Sequence, residues 1–135
     1  MEIVLTIRKV GEKMKFYICD ICGKVIEIIN DTKVPTICCG EAMSLLEANT
    51  SEGAIEKHIP VYEIKDKEII IKVGANEHPM EEDHYIMWVA MVTDNTTNRV
   101  QLLPRQTVEV EMDYIKGSTI YAYCDKHGLW GTKID

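Results

Sequence analysis

Near the end of the chain, in YAYCDKHGLW, Cys124 and His127 are separated by two residues and followed by Gly128. A thiolate and an imidazole at that spacing can grip one metal ion, and a glycine after them lets the loop turn tightly. His58, His78 and His84 complete the chain's set of four histidines. Imidazoles suit iron, copper, zinc and nickel, while a thiolate adds covalency and raises electron density on the metal. Five such ligands exceed the four of a structural zinc site and leave an octahedral ion one open position for a small molecule. A single histidine is more often a surface or satisfied core residue than a ligand. The joint pattern changes that balance, because Pro60 and Pro79 stiffen the chain beside His58 and His78. Electron-transfer copper sites also use a late Cys and His, but they take two His, one Cys and usually a weak axial Met. No methionine follows Cys124 and four histidines are on offer, so copper falls behind.

A second constellation lies earlier, where Cys19-x2-Cys22 is followed by the adjacent pair Cys38-Cys39. Four soft thiolates suit tetrahedral iron or zinc, and the spacing leaves both open, as an electron carrier or as a structural staple. The first pair reaches one ion from a turn in which Gly23 relieves the backbone. The adjacent pair cannot repeat that geometry, so some angular distortion at the metal is expected.

The elements that must position these ligands read as strands. The four cysteines fall in a short unit, 14–48, where runs at Val25 to Ile29 and Val34 to Ile37 flank a polar turn and predict a hairpin. So short a unit buries little apolar surface and needs a metal or another staple. NTSEG, residues 49–53, reads as a linker into the larger unit, 54–135. There, Ile69, Ile71 and Val73 of EIIIKV share one face, and Val108, Val110 and Met112 of TVEVEMD point inward. YIMWVAMV, Tyr85 to Val92, is apolar throughout and fits a strand buried on both faces. STIYAYC is a strand that ends at Cys124. Turns at DNTTN and IKG separate these runs at the intervals of a β-sandwich, and no amphipathic helix stands out. The fold class expected is all-β.

The 135 residues carry a net charge of −7, which argues against a general nucleic-acid binder, since such binding needs a basic face. No apolar run approaches the roughly 20 residues that cross a bilayer, and the start has no signal-peptide pattern. Five cysteines, an odd number, favour metal binding in a reducing compartment over paired disulfides, so a cytoplasmic location is expected. Residues 1–13 differ in kind. Gly11-Glu12 can be encoded by a purine-rich ribosome-binding sequence shortly before Met14, which makes Met14 the expected start and the preceding residues a mis-called leader.

With both cysteine patterns and the segments EKHIPV, HPMEEDHYI and YCDKHGLW, the chain from Met14 to Asp135 closely resembles the desulfoferrodoxin family, the two-domain superoxide reductases. The resemblance implies a desulforedoxin-like module binding iron through Cys19, Cys22, Cys38 and Cys39, joined to an immunoglobulin-like β-sandwich. It further implies a second, ferrous iron with four equatorial histidines, His58, His78, His84 and His127, and an axial Cys124. Superoxide would be reduced by one electron to hydrogen peroxide at the open position. Lys57 matches the family lysine that attracts the anion, and Glu56 the carboxylate that occupies the open position after oxidation. Family members are usually cytoplasmic homodimers that receive electrons from rubredoxin-like donors. The segment LLPRQTVEVEM matches less clearly, and no role is carried onto it. Two other classes are weighed beside the enzyme: a colourless zinc-stabilised binding module, and a pure electron carrier whose sixth ligand comes from the protein.

Overall fold

The computed structural model describes residues 15–51 and 53–134; the leader reading of residues 1–13 and the start at Met14 lie outside them. The N-terminal unit holds β1 (Lys15–Ile18), β2 (Val25–Ile28), β3 (Ile37–Cys38), β4 (Glu41–Ala42) and β5 (Ser44–Leu45). The larger unit holds a single helical turn, α1 (Ile55–His58), then β6 (Pro60–Lys65), β7 (Glu68–Val73), β8 (Ile86–Val92), β9 (Thr97–Gln101), β10 (Val110–Asp113), β11 (Thr119–Cys124) and β12 (Gly128–Lys133).

The hairpin expected between Val25–Ile29 and Val34–Ile37 does not form. β2 pairs antiparallel with β1 from Ile18↔Val25 to Lys15↔Ile28, and Ile37 pairs instead with Ala42. The turn through Cys19 and Cys22 reverses the chain and delivers β2 directly to β1, while the Cys39-Gly40 turn folds the next run back on itself, pairing Ile37 with Ala42. β5 closes the other edge of β1, giving the order β2-β1-β5. β3 and β4 are joined by Cys39 and Gly40, both with positive φ (53° and 80°), the signature of the tight hairpin turn that matches strand twist. Cys39 in this left-handed conformation is how two adjacent cysteines both turn towards one point, a solution the spacing alone did not reveal.

The larger unit packs a three-stranded sheet, β10-β7-β6, on a four-stranded sheet, β12-β11-β8-β9. The strand periodicity places the core as expected. Ile69, Ile71, Val73, Val110 and Met112 from one sheet meet Ile86, Val89, Met91, Ile120, Ala122 and Cys124 from the other. Val108 packs against this core from just outside β10, so that strand is shorter than its alternation implied. β8 is buried on both faces, because Trp88, Ala90 and Val92 turn away from the sandwich core and meet Phe16, Tyr123 and Leu129. Phe16 of β1 lies against Trp88 at 4.9 Å between ring centroids, and Trp88 stacks on Tyr123 at 5.5 Å. Thr97 Oγ1 donates to Glu27 Oε2 across the same seam (2.6 Å). The four-cysteine unit is therefore docked on the outer face of the sandwich through an aromatic contact.

Phe16 supplies much of the apolar area of that contact. Phe16→Ala is expected to lower stability by about 3–4 kcal/mol through lost burial and a residual cavity, read as a shift of the urea midpoint. A shift worth under about 1 kcal/mol would mean that the contact contributes little.

Candidate metal centres

β11 alternates with a period of two, so Ile120, Ala122 and Cys124 point into the sandwich while Tyr121 and Tyr123 point out. Cys124 is the last residue of that inward row and is fully buried. A three-residue loop, Asp125 to His127, then reverses the chain into β12, and Gly128, with φ 80°, pairs with Cys124. That turn returns His127 towards the Cys124 sulfur, leaving its Nδ1 3.8 Å from Sγ.

The other three histidines come from the opposite end of the chain's path. His58 closes α1 and is buried, with its Nδ1 2.7 Å from the Ala54 carbonyl. His78 is equally buried, with its Nδ1 2.7 Å from the Pro79 carbonyl. His84 stands at the end of the short loop bridged by Glu81 and His84. The rings close a circuit. Centroid distances are 4.5 Å for His58–His78, 4.9 Å for His78–His84, 5.0 Å for His84–His127 and 4.7 Å for His127–His58. Every neighbouring pair crosses at 70–82°. Four imidazoles thus stand edge to face around one point, and each residue of the set, with Cys124, offers a donor atom within 4.8 Å of all the others.

The donor chemistry calls for a cation. A carbonyl can only accept, so the contacts to Ala54 and Pro79 fix the protons of His58 and His78 on Nδ1 and leave both Nε2 atoms as bare lone pairs. Those two Nε2 atoms lie 3.0 Å apart, and His58 Nε2 is also 3.0 Å from His127 Nδ1. Lone pairs aimed at one another at this distance repel. A metal about 2.1 Å from each of two nitrogens at right angles separates them by about 3.0 Å, so the spacing is that of neighbouring ligands. His84 Nε2 is buried and has no hydrogen-bond partner among the described residues, as a ligand nitrogen should be before its metal is counted. Burial holds His58 and His84 below the ordinary imidazole range and His78 down to about 4, which keeps all three neutral and able to ligate at pH 7. Burial pushes the Cys124 thiol up, and the backbone amides of Lys126 and His127 oppose it by favouring the thiolate.

The four-cysteine cluster passes the same test. Its sulfurs lie within 4.8 Å of one another, and Cys22 Sγ is 3.6 Å from Cys38 Sγ. A tetrahedral ion about 2.3 Å from each sulfur sets them about 3.8 Å apart. The Cys22 amide pulls Cys19 down to about 6, while contact with the Cys19 and Cys22 sulfurs pushes Cys38 up to about 12. Four thiolates this close coexist only around a positive charge. Unlike the histidine-rich site, this one stands at the surface, with Cys22 and Cys39 exposed.

The geometry has counterparts in known proteins. A desulfoferrodoxin family profile matches residues 50–133, and a profile for the desulfoferrodoxin N-terminal domain matches residues 11–46. The chain belongs to the desulfoferrodoxin family. It is 38% identical over 124 residues to the desulfoferrodoxin of Syntrophotalea carbinolica, covering 91% of this chain and 98% of that one. Against the desulfoferrodoxin of Nitratidesulfovibrio vulgaris it is 38% identical over 118 residues, covering 86% and 93%. Among solved structures, the superoxide reductase from Treponema pallidum superposes with a TM-score of 0.71 at 27% identity, covering 90% of this chain and all of that one.

All nine residues expected as ligands are gathered into these two clusters. Glu56 and Lys57 lie beside the histidine-rich one, exposed on α1 immediately before His58. Within this desulfoferrodoxin fold, sequence reasoning overlooked Trp130. Its ring stacks on His58 at 4.9 Å and 26°, and its Nε1 donates to the His127 carbonyl at 3.0 Å, so one buried side chain orients two ligands. The available signal was its pairing position: opposite Ala122 on the inward face of β12, two residues beyond Gly128. Trp130→Phe keeps a stacked ring and removes the bond to His127. The variant is expected to bind iron at the histidine-rich site about tenfold more weakly, the usual effect of losing a partner that orients a ligand. Competition with a chromogenic chelator measures this, with the four-cysteine site as the internal control.

Proposed function

We propose that the chain is a two-iron superoxide reductase. The observation that carries this reading is the closed ring of four imidazoles with the buried Cys124 sulfur among them, five donors that would leave an octahedral ion a sixth position for a small ligand. A ferrous ion bound there would supply one electron, so that superoxide and two protons give hydrogen peroxide and the centre becomes ferric. Around it the chain supplies the rest. Burial pushes the Cys124 thiol up, so a bound cation would be what holds it as thiolate, with the Lys126 and His127 amides assisting, and the thiolate would raise electron density at the centre. The buried rings of His58 and His78 shield one side from water.

Lys57 is the residue we assign to capturing the anion. A net charge of −7 repels superoxide at long range, but screening over about 8 Å at physiological salt lets the nearest charges govern the final approach. Lys57 joins none of the ion pairs among the described residues, and its charge is felt at the His58 ring, where it adds to burial in opposing protonation. Glu56, its neighbour on the same turn, is assigned to the open position after oxidation. The Asn76 amide bonds the Glu56 carbonyl (2.9 Å), which fixes the turn that carries both.

The four-cysteine site is proposed as an iron that relays electrons from a rubredoxin-like donor, a role that its exposed Cys22 and Cys39 support. A cytoplasmic location fits five free thiols. Ile29, Val34 and Ile37, exposed by 82%, 75% and 62%, give the N-terminal unit an apolar surface that a second copy of the chain would cover, and this supports a homodimer. We also take residues 14–48 and 54–135 as separate domains joined by 49–53, a division that the two family matches support.

Pulse-generated superoxide mixed with the iron-loaded protein tests the activity. Rapid oxidation of the histidine-rich centre with release of peroxide is expected, and a centre inert to superoxide would overturn the proposal. Lys57→Ala should slow capture roughly three- to tenfold and flatten its salt dependence with iron content unchanged. Cys19→Ser should abolish the visible absorption of the four-cysteine centre and leave the first reduction event intact; loss of both would refute the independence of the two centres.

A further inference from the structure

The segment expected to be a linker is pinned to the sandwich, and its path leads to the metal ligands. Asn49 adopts a left-handed backbone (φ 64°), and its amide donates to the Leu129 carbonyl at 2.9 Å. Its side chain then acts as an extra rung on β12, the outermost strand of the four-stranded sheet: Nδ2 donates to the Gly131 carbonyl (3.2 Å), and the Gly131 amide donates to Oδ1 (2.9 Å). Beyond this clamp the chain hugs the loop that carries His127. A Cβ on Gly128 would lie 2.6 Å from Ser51 Oγ, and a Cβ on Gly53 would lie 3.1 Å from His58 Cε1 and 3.3 Å from His127 Cβ. Gly53 therefore lays bare backbone against two imidazoles that are neighbours in the ring of four.

We propose that Asn49 is a positioning residue for the histidine-rich centre: by fastening the connecting segment to β12, it holds the Gly53 backbone against His58 and His127 and so sets their ring orientation. A primary amide reproduces the donor and acceptor of a peptide unit, which is why an asparagine can extend a sheet edge by one rung. The three bonds fix the connector relative to β12, and Gly53 is four residues further on, too short a span to drift far. Both ligands are then contacted by two separate elements. Trp130 stacks on His58 and bonds the carbonyl of His127 from within the sandwich, while Gly53 packs against both from the connector. The inference rests on the reading of this site as a metal centre and is independent of its substrate.

The full-length, iron-loaded protein tests it through the thiolate-to-iron absorption band of the oxidised histidine-rich centre and through the rate at which a chelator removes that iron. Asn49→Gly is the informative variant, because glycine accepts φ 64° and only the two side-chain bonds are lost. Iron release from this site should rise about tenfold, the size expected for two neutral hydrogen bonds, with release from the four-cysteine site unchanged. Gly53→Ala should displace the rings and shift the band. Thr50→Ala removes a bond of the same segment that does not reach β12, Thr50 Oγ1 to the Glu47 carbonyl (2.8 Å), and should leave both readouts at wild-type values. If Asn49→Gly lowers the melting temperature but leaves band and release rate unchanged, or if Thr50→Ala matches its effect, Asn49 is only a structural tie and the inference fails. A wild-type protein without the band would overturn the metal-site reading itself, and this inference with it.

Discussion

The larger unit is organised around a repulsion that only a cation relieves. Nε2 of His58 and Nε2 of His78 present lone pairs to one another at 3.0 Å because their protons are committed to the Ala54 and Pro79 carbonyls. In a water-filled cleft such rings would turn away. Here they are buried, crossed at 76° by packing, and unable to recruit a proton cheaply, since burial opposes protonation of both. The chain thus keeps a set of atoms whose favourable arrangement requires a positive charge it does not itself provide. That requirement couples metal binding to folding, because the free energy of ligation offsets the cost of holding the donors together.

The scaffold meets this requirement with unrelated local devices converging on one point. A single helical turn presents His58, a proline-stiffened loop presents His78 and His84, and the end of an inward strand row presents Cys124. A tight hairpin then brings back His127. The sandwich needs no long-range distortion to do so, because the site sits where strands end and side chains lose their interior neighbours. Cys124 belongs to the hydrophobic core as well as to the site, so the thiolate is anchored by the same packing that holds Ile120 and Ala122. This explains how one side of the ring can stay closed while the exposed turn bearing Glu56 and Lys57 lies next to it.

Much of this was legible in the sequence because metal ligation selects rare residue types and β-structure imposes a period of two. Nine Cys and His residues in two spaced groups located the centres, and the alternation in EIIIKV and VEVEM located their supporting face. What stayed hidden depended on partners distant in the chain. Val34 to Ile37 has a strand's composition, but its partner is set by the Cys39-Gly40 turn that follows, which folds Ile37 onto Ala42 instead of leaving it to Val25 to Ile29. The turn at Ile55–His58 is too short to show helical periodicity. Trp130 reads as an ordinary core aromatic, and Asn49 as a linker residue, until β12 is placed beside them.

The two centres differ in the property that their chemistry uses. In the role proposed for it, the four-cysteine centre only changes charge, keeps its ligands throughout and gains from nearness to a partner, so thiolates at the surface would serve it, and Cys22 and Cys39 are exposed. A centre that binds a small anion must instead hold its permanent ligands rigid while one position exchanges, and rigidity is supplied by burial: Cys124, His58 and His78 are almost wholly enclosed. The same contrast explains the unequal scaffolds. Four thiolates need only two short hairpin turns around an ion, which a unit of about 35 residues provides once the metal staples it. Four imidazoles and a thiolate in a fixed circuit need a complete sandwich, and the aromatic seam of Phe16, Trp88 and Tyr123 lets the small unit borrow stability from the large one. Tyr123 is peptide-bonded to Cys124, so the face that receives the four-cysteine unit is the back of the strand whose front carries the thiolate.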